Sequence, residues 1–541
     1  MLATKAHDRR WLILPVLCLS VFLVVVDNTI VNVALPSLSR DLGASTTALQ
    51  WIVDAYSLAF AGLLLAGGGI GDRLGRKGVM MAGLVAFGVF SAAAAASHST
   101  GTLIASRALM GVSAAFVFPA TLAILTSVFT DHAERQKALG IWGATSGIAV
   151  AFGPITGGAL LEHYWFGSIF LVNVPIVVVT LIGSAVLIPV LQPEVRHRFD
   201  TPGVVISTVG VSLLVLAIIE GPQWGWAAPA TLACFAGATV LLVAFTLIEL
   251  RTEHPLLDVR VFRIPRFTAG ALSIAVAFFC LFGFIFLVTQ YFQFVKGYST
   301  LSAGVHTLPF AIVAAVFTPI AAVVALRIGS RVVVAAGLAL MGGGLVMAGL
   351  TSKPHTAFFG PIIISMVLLA LGLSAITAPA TEAVMGSLAA DQVGAGAAVN
   401  NTTRELGGTL GVAVLGSVFA SAYSPRIIRA FAPYPIPSAA KQAAHQSMAA
   451  ALAVVQRAPA AAQPVLRAAA FDGFGSGLRA ACVVGAGVAV IGALVAFRLL
   501  PGRGDTGEVV ATGAQPEVAA EGPEPGAHGA TPMPANASDR G

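Results

Sequence analysis

The stretch GGIGDRLGRKG, Gly68 to Gly78, gathers Asp72, Arg73, Arg76 and Lys77 into eleven residues and spaces them with glycines. The chain around it is oily. Of 541 residues, 57% are hydrophobic and 10% charged, and mean hydropathy is +0.89. A soluble globular chain carries about 25% charged residues. Side chains this apolar cannot all be buried beneath one wet surface. The sequence reads as an all-α polytopic membrane protein, in which each helical span takes about 20 apolar residues.

The quoted stretch has an echo. RLGRKGVMMAG, from Arg73, resembles RIGSRVVVAAG, from Arg327, at an offset of 327 − 73 = 254 residues. Fourteen apolar runs are long enough to span, near 11–36, 48–70, 79–97, 101–126, 138–161, 167–191, 202–220, 228–249, 267–294, 303–325, 332–350, 358–381, 394–422 and 479–500. The same offset carries run starts near 11, 48, 101 and 138 to 265, 302, 355 and 392, each the start of a later run. The expected architecture is therefore a six-helix half over 11–191, a two-helix insert over 202–249, and a second six-helix half over 267–500. Residues 424–478 form a long loop rich in Ala, Pro and Gln, expected to hold a short helix or two. The Gly-, Pro- and Glu-rich tail at 501–541 has no apolar period and is expected to be disordered. Repeats of this kind are typical of secondary transporters, with the substrate site between the halves.

Charge sets the orientation. Lys5, Arg9, Arg10, the quoted loop, Arg135, Lys137, Arg196, Arg198, Arg251, Arg260, Arg263, Arg266, Arg327, Arg331, Arg498 and Arg503 fall on one side, against Arg40, Lys296 and Lys353 in the short loops of the other. The positive-inside rule puts the basic side, residues 1–10 and both termini in the cytoplasm. The net charge of +6 then belongs to membrane topology and not to nucleic-acid binding. The first run has no small-residue cleavage site and is too long for a signal peptide. Cys18, Cys234, Cys280 and Cys482 all lie in apolar runs and read as packing residues, with no metal spacing. No phosphate-binding GxxxxGK[ST] loop, HExxH or GxSxG occurs. The chain reads as no enzyme and no ATP-driven pump, with no cofactor expected. Abundant Ala, Gly and Arg point to a GC-rich bacterial genome and a plasma (inner) membrane location.

The motifs carry a resemblance. Gly68, Asp72, Arg73, Gly75, Arg76 and Lys77 match the loop signature Gly-x-Leu-x-Asp-Arg-x-Gly-Arg-Arg/Lys of the major facilitator superfamily, with Ile70 for the leucine. VDNTIVNVALP, Val26 to Pro36, is similar to the first-span signature of its fourteen-span drug–proton antiporters, the EmrB/QacA type. RALMGVSAA, from Arg107, resembles the fourth-span motif, with Met110 for its usual glutamine. GIAVAFGPITGG, with Gly147, Gly153, Pro154, Gly157 and Gly158, resembles the fifth-span antiporter motif. FLVNVP, Phe170 to Pro175, resembles the sixth-span segment, although Gly167 and Ser168 replace its usual Arg-Trp. The resemblance covers about 10–500. It implies a charge latch on the cytoplasmic face, with Asp72 just past a helix end, and a hinge-like glycine face in span 5 that marks exporters.

Ionisable residues inside spans cost about 2.5–3.5 kcal/mol each on insertion scales and are functional candidates by default. Asp27, Asp54 and Arg107 all fall about 9–14 Å below the outer surface at ~1.5 Å per residue, a depth at which they could meet around one polar cavity. Desolvation disfavours a carboxylate's charge and a nearby arginine favours it. Opposed pulls let one acid exchange a proton against a drug cation. Asp27 is the expected carrier and Arg107 its tuner, with a static buried ion pair as the bland alternative. Asp54 either binds cations or faces water at the outer rim. Asn28 and Asn32, one turn apart, line the cavity or bond neighbouring helices. In span 13, Asn400, Asn401, Arg404 and Glu405 lie near mid-membrane; as neighbours, Arg404 and Glu405 point in different directions. Glu405 matches, by segment, an acid that is functional in the family. Leu281 and Pro361 stand at the repeat positions of Asp27 and Arg107, so the ionic chemistry belongs mostly to the first half. Trp51, Tyr56, Phe284, Tyr291 and Phe292 could stack on flat or cationic drugs. The favoured reading is a monomeric proton-coupled exporter of amphipathic, cationic drug-like compounds. An exporter of one self-made antibiotic, lipid or metabolite, and a non-transporting sensor or scaffold, remain as alternatives.

Overall fold

A computed structural model describes residues 10–189, 200–252, 257–351, 353–388 and 393–500. The expected N-terminal segment before Arg10 and the tail 501–541 lie outside the described residues. Among the described residues, fourteen helices are long and apolar enough to cross a membrane. The first half holds α1 (Arg10–Asp41), α2 (Thr46–Leu74), α3 (Arg76–Ala95), α4 (Thr100–Val128), α5 (His132–His163) and α6 (Asn173–Leu187). The insert is α7 (Thr201–Trp224) and α8 (Pro229–Glu249). The second half holds α9 (Pro265–Gln290), α10 (Leu308–Ile328), α11 (Ser330–Thr351), α12 (Ile363–Met385), α13 (Val393–Phe431) and α14 (Gln463–Leu499). Two short helices, Ser438–Gln446 and Met448–Arg457, fill the loop before α14.

Local chemistry starts and stops these helices. Ser45, Ser99, Asp131 and Asp200 each accept a backbone N–H in the first turn of the helix that follows, satisfying a donor the helix leaves orphaned. Gly75, with φ +98°, separates α2 from α3. The sequence ended α2 before Asp72, but the helix runs through Asp72 to Leu74, because the break falls at the glycine whose φ other residues rarely adopt.

The repeat is visible in the backbone. Adding 254 to Gly43, Ser45 and Gly75 gives Gly297, Ser299 and Gly329. Gly297 and Gly43 have φ of +69° and +63°, and Gly329 and Gly75 have φ of +94° and +98°. Ser299, like Ser45, caps the helix that follows it. Packing repeats as well: α1 lies on α5 as α9 lies on α13, and α2 on α4 as α10 on α12.

The halves meet along α2 and α13 on one flank, and where the turn Thr300–Val305 before α10 meets α5. Helix α7 lies in the first of these seams, against both α2 and α13. Large apolar side chains such as Val186, Val240, Leu326 and Leu494 face outward, as expected where lipid replaces water. The polar side chains lie inside.

Candidate transport site

The centre of the first half is a closed polar cluster. Arg107 Nη1 of α4 donates to Asp27 Oδ2 of α1 at 2.5 Å, and both side chains are fully buried. Asn173 Nδ2, at the start of α6, donates to Asp27 Oδ1 at 2.8 Å and to Ser91 Oγ at 3.0 Å. Ser91 in turn donates to the Phe170 carbonyl at 2.8 Å. Arg107 Nε donates to the Ile52 carbonyl of α2 at 3.1 Å, and its guanidinium lies 4.2 Å from the centre of the Tyr56 ring. The Tyr56 hydroxyl donates to the Val24 carbonyl. Charge-assisted bonds and a cation–π contact thus replace the water that Asp27 and Arg107 lost.

Asp54 does not join this cluster. It is fully buried, and neither carboxylate oxygen has a hydrogen-bond partner among the described residues. Geometry explains this: Tyr56 faces Arg107, and a residue two before it along a helix points elsewhere. Asp54 instead lies one turn from Gln50, on the side that meets the second half. Gln50 Nε2 donates to the carbonyls of Val412 and Ala413 in α13 at 3.2 and 3.0 Å. Thr409, one turn from Ala413, has a buried hydroxyl without a hydrogen-bond partner among the described residues.

Across the same seam Glu405 of α13 reaches the side chain of Asn28. Tyr56 stands within electrostatic reach of Asp27, Arg107 and Glu405 alike. Asn32 donates back to its own helix, at the carbonyls of Asn28 and Thr29. Arg404 turns the other way, over the Phe278 ring at 5.3 Å and toward Thr381, which also contacts Asn400. An apolar pocket lies between the halves on the side where α5 meets α10, with Asn32 and Pro154 on the first-half wall and Leu281, Phe284, Phe310 and Met366 on the second. Leu281 is the repeat counterpart of Asp27, so the second half offers an apolar side chain where the first has its buried acid. Of the other aromatics, Trp51 donates to Glu220 of the insert, and Tyr291 donates to the Lys353 carbonyl.

The glycine motifs act by close approach. A Cβ on Gly153 would strike Thr29, one on Gly157 would strike Ile30, and one on Gly158 would meet Leu301 of the second half. Gly147 has nothing within 4 Å. Gly304 returns the contact by lying against the Pro154 carbonyl. Glu162, at the end of α5, accepts from the Leu301 N–H at 3.2 Å. Gln293 donates to the Val33 carbonyl, Ser39 pairs with Ser447, and Thr46 donates to the Gln446 carbonyl. These bonds between the halves lie toward the face that carries the 424–478 loop.

At the opposite, basic face, Arg76 Nη1 donates to the Ser127 hydroxyl and Ala123 carbonyl of α4. Lys77 Nζ donates to the carbonyls of Ala185 and Ile188 at the end of α6. These two charges staple three helix ends within one half. Gly68 lies near Pro119, Arg73 is exposed, and the Asp72 side chain lies outside the described residues.

Sequence reasoning passed over Asn173, Ser91 and Gln50. Asn173 sits within the FLVNVP segment and is its one polar side chain; a lone amide in an apolar span was the available signal.

Two six-helix halves with an ion pair buried beside their interface are the architecture of a secondary transporter. The chain belongs to the Major Facilitator Superfamily, whose family pattern matches residues 17–412. It is 36% identical over 500 residues to the multidrug efflux pump LfrA of Mycolicibacterium smegmatis, covering 92% of this chain and 98% of that protein. It is 36% identical over 425 residues to the methyl viologen resistance protein SmvA of Salmonella typhimurium, covering 77% and 84%. A bacterial homologue of the human lysosomal transporter Spinster shares the fold, with a TM-score of 0.63 at 16% identity over 91% of this chain and 98% of that one.

Proposed function

We propose that this protein is a proton-coupled exporter of amphipathic, cationic drug-like compounds, of the fourteen-span antiporter type. It acts as a monomer in the bacterial plasma membrane, with the basic face and both termini in the cytoplasm. The observation that carries the reading is the fully buried Asp27–Arg107 pair. Relatives named for multidrug efflux and methyl viologen resistance support the substrate class.

In this reading the halves are closed at the outer face, and a substrate enters from the cytoplasm toward Asn28, Asn32, Glu405 and the apolar pocket. A proton arriving on Asp27 cancels the charge that Arg107 balances. Arg107 already bridges α1 to the α2 backbone, and its Nη2 has no hydrogen-bond partner among the described residues. Neutralising Asp27 therefore loosens α1 from α4 and from α2, the helix that meets α13 of the second half. Asp27 is the proton site, Glu405 and Asp54 attract the cation, and the loop 68–78 gates the cytoplasmic side.

Ethidium accumulation in a pump-deficient bacterium tests this, comparing wild type, Asp27→Asn and an empty vector, with and without a protonophore. Lower accumulation in wild type alone, abolished by the protonophore, is expected. Wild type equal to empty vector at good membrane expression would overturn the broad-exporter reading and favour a dedicated substrate or a non-transporting role.

A further inference from the structure

The bond network around Asp27 contains a residue to which the proton step gives a task of its own. Asn173 is fully buried and spends both amide hydrogens, one on Asp27 Oδ1 and one on Ser91 Oγ. Its own Oδ1 has no hydrogen-bond partner among the described residues. The donors suit a charged Asp27. They do not suit a protonated one, whose new O–H needs an acceptor. A fixed donor, like the guanidinium of Arg107, serves only the charged form. An amide carries a donor and an acceptor at nearly the same place and exchanges them by a half-turn about its last torsion.

We propose that Asn173 is the positioning residue that holds Asp27 in both its charged and protonated forms by turning its amide over, with the Ser91 hydroxyl turning in step. The inference rests on Asp27 being the proton site. A proton from water forms an O–H bond at Asp27 Oδ1. The amide turns so that Asn173 Oδ1 accepts that O–H. The Ser91 hydroxyl, which now donates to the Phe170 carbonyl, swings to donate to the same Asn173 oxygen. When the proton leaves to water on the other side, both groups turn back. No covalent bond of Asn173 or Ser91 breaks, and neither changes charge, so the cluster is never left with a bare buried acid. The unpartnered amide oxygen is the acceptor held in reserve.

Infrared difference spectroscopy of the purified protein in lipid nanodiscs, titrated with pH, tests this without any substrate. The carboxylic C=O band that Asp27→Asn removes identifies Asp27. A donor to a carboxylate bonds more strongly than an acceptor of a neutral O–H. Asn173→Leu is therefore expected to move the midpoint of that band upward by about half a unit to one unit, with a frequency shift from the lost acceptor. Asn173→Asp, which keeps shape and polarity but places a second acid there, is expected to move it further up. Ser91→Ala, a small deletion, is expected to move it in the same direction by less. Midpoints and band positions equal to wild type in the variants that assemble would overturn the role of Asn173 while leaving Asp27 as the proton site. No Asp27-dependent band that titrates would overturn the reading of Asp27 itself.

Discussion

Gly75 and Gly329 occupy the same place in two different halves: 329 − 75 = 254 residues apart, each sits at a helix–helix break with φ of +98° and +94°. The identity of the two turns shows that the chain repeats in backbone conformation as well as in hydropathy. Conformations in this region cost other residues about 1–3 kcal/mol. Gly75→Ala and Gly329→Ala are each expected to lower the thermal unfolding temperature in detergent, although a methyl added at Gly75 would touch none of the described residues within 4 Å. An unchanged melting curve in both would show that the turns tolerate a side chain.

The buried pair Asp27–Arg107 makes a sharper statement. Removing one partner of a buried ion pair costs about 3–5 kcal/mol, because the other is left uncompensated. Arg107→Met is expected to destabilise strongly, and the double variant Asp27→Asn with Arg107→Met to recover part of that stability without recovering transport. Melting temperature and ethidium efflux, measured side by side, separate the two effects. Equal destabilisation in single and double variants would deny the coupling.

Gly158 and Gly304 bring α5 against the turn before α10 at backbone distance. Gly158→Val has no room there without displacing Leu301. Closure of that face is expected to fail, raising the reactivity of a cysteine introduced at Asn32 toward an impermeant thiol reagent added outside. Labelling equal to that of the Asn32→Cys protein without Gly158→Val would refute it.

Beyond the spans, His445 of the short helix Ser438–Gln446 lies beside Ser424, and partial burial pushes its imidazole below the usual value near 6.5. A depressed value means the folded form prefers the neutral ring. Its stabilisation is full above about 6.5 and is lost as pH falls through the lower folded value. Hydrogen exchange of residues 438–457 is expected to accelerate below pH ~6.5, and His445→Gln to flatten that response. An acceleration that survives the substitution would place the sensitivity elsewhere.

The spans and the repeat could be read before any coordinates because hydropathy, basic loops and glycine breaks are local. Helix ends were less legible. The apolar runs stop near 422 and begin again near 479, yet α13 continues to Phe431 and α14 starts at Gln463. Arg426, Arg429, Asp472 and Arg479 interrupt hydropathy there without interrupting the helical backbone. The site was legible to the level of depth: Asp27 and Arg107 share a level, and they meet. Asp54 shares that level and does not join them, since level says nothing about rotation around a helix axis. Asn173 and Gln50 escaped notice for the same reason; an amide's importance depends on what it faces.

The insert gives the molecule a front and a back. Helix α7 donates from Thr208 to the Gly62 carbonyl of α2, and its Ile218 carbonyl accepts from Ser417 of α13. Gln223 and Glu220 hold Thr47 and Trp51 near the other end of α2. That flank is bolted shut to lipid by a helix bonded to both halves. The opposite flank, where α5 meets α10, has no such cover, and the apolar pocket lies behind it with Pro154 and Phe310 in its walls. For a compound dissolved in the bilayer, the two extra helices therefore cover the α2–α13 flank and leave the α5–α10 flank without them.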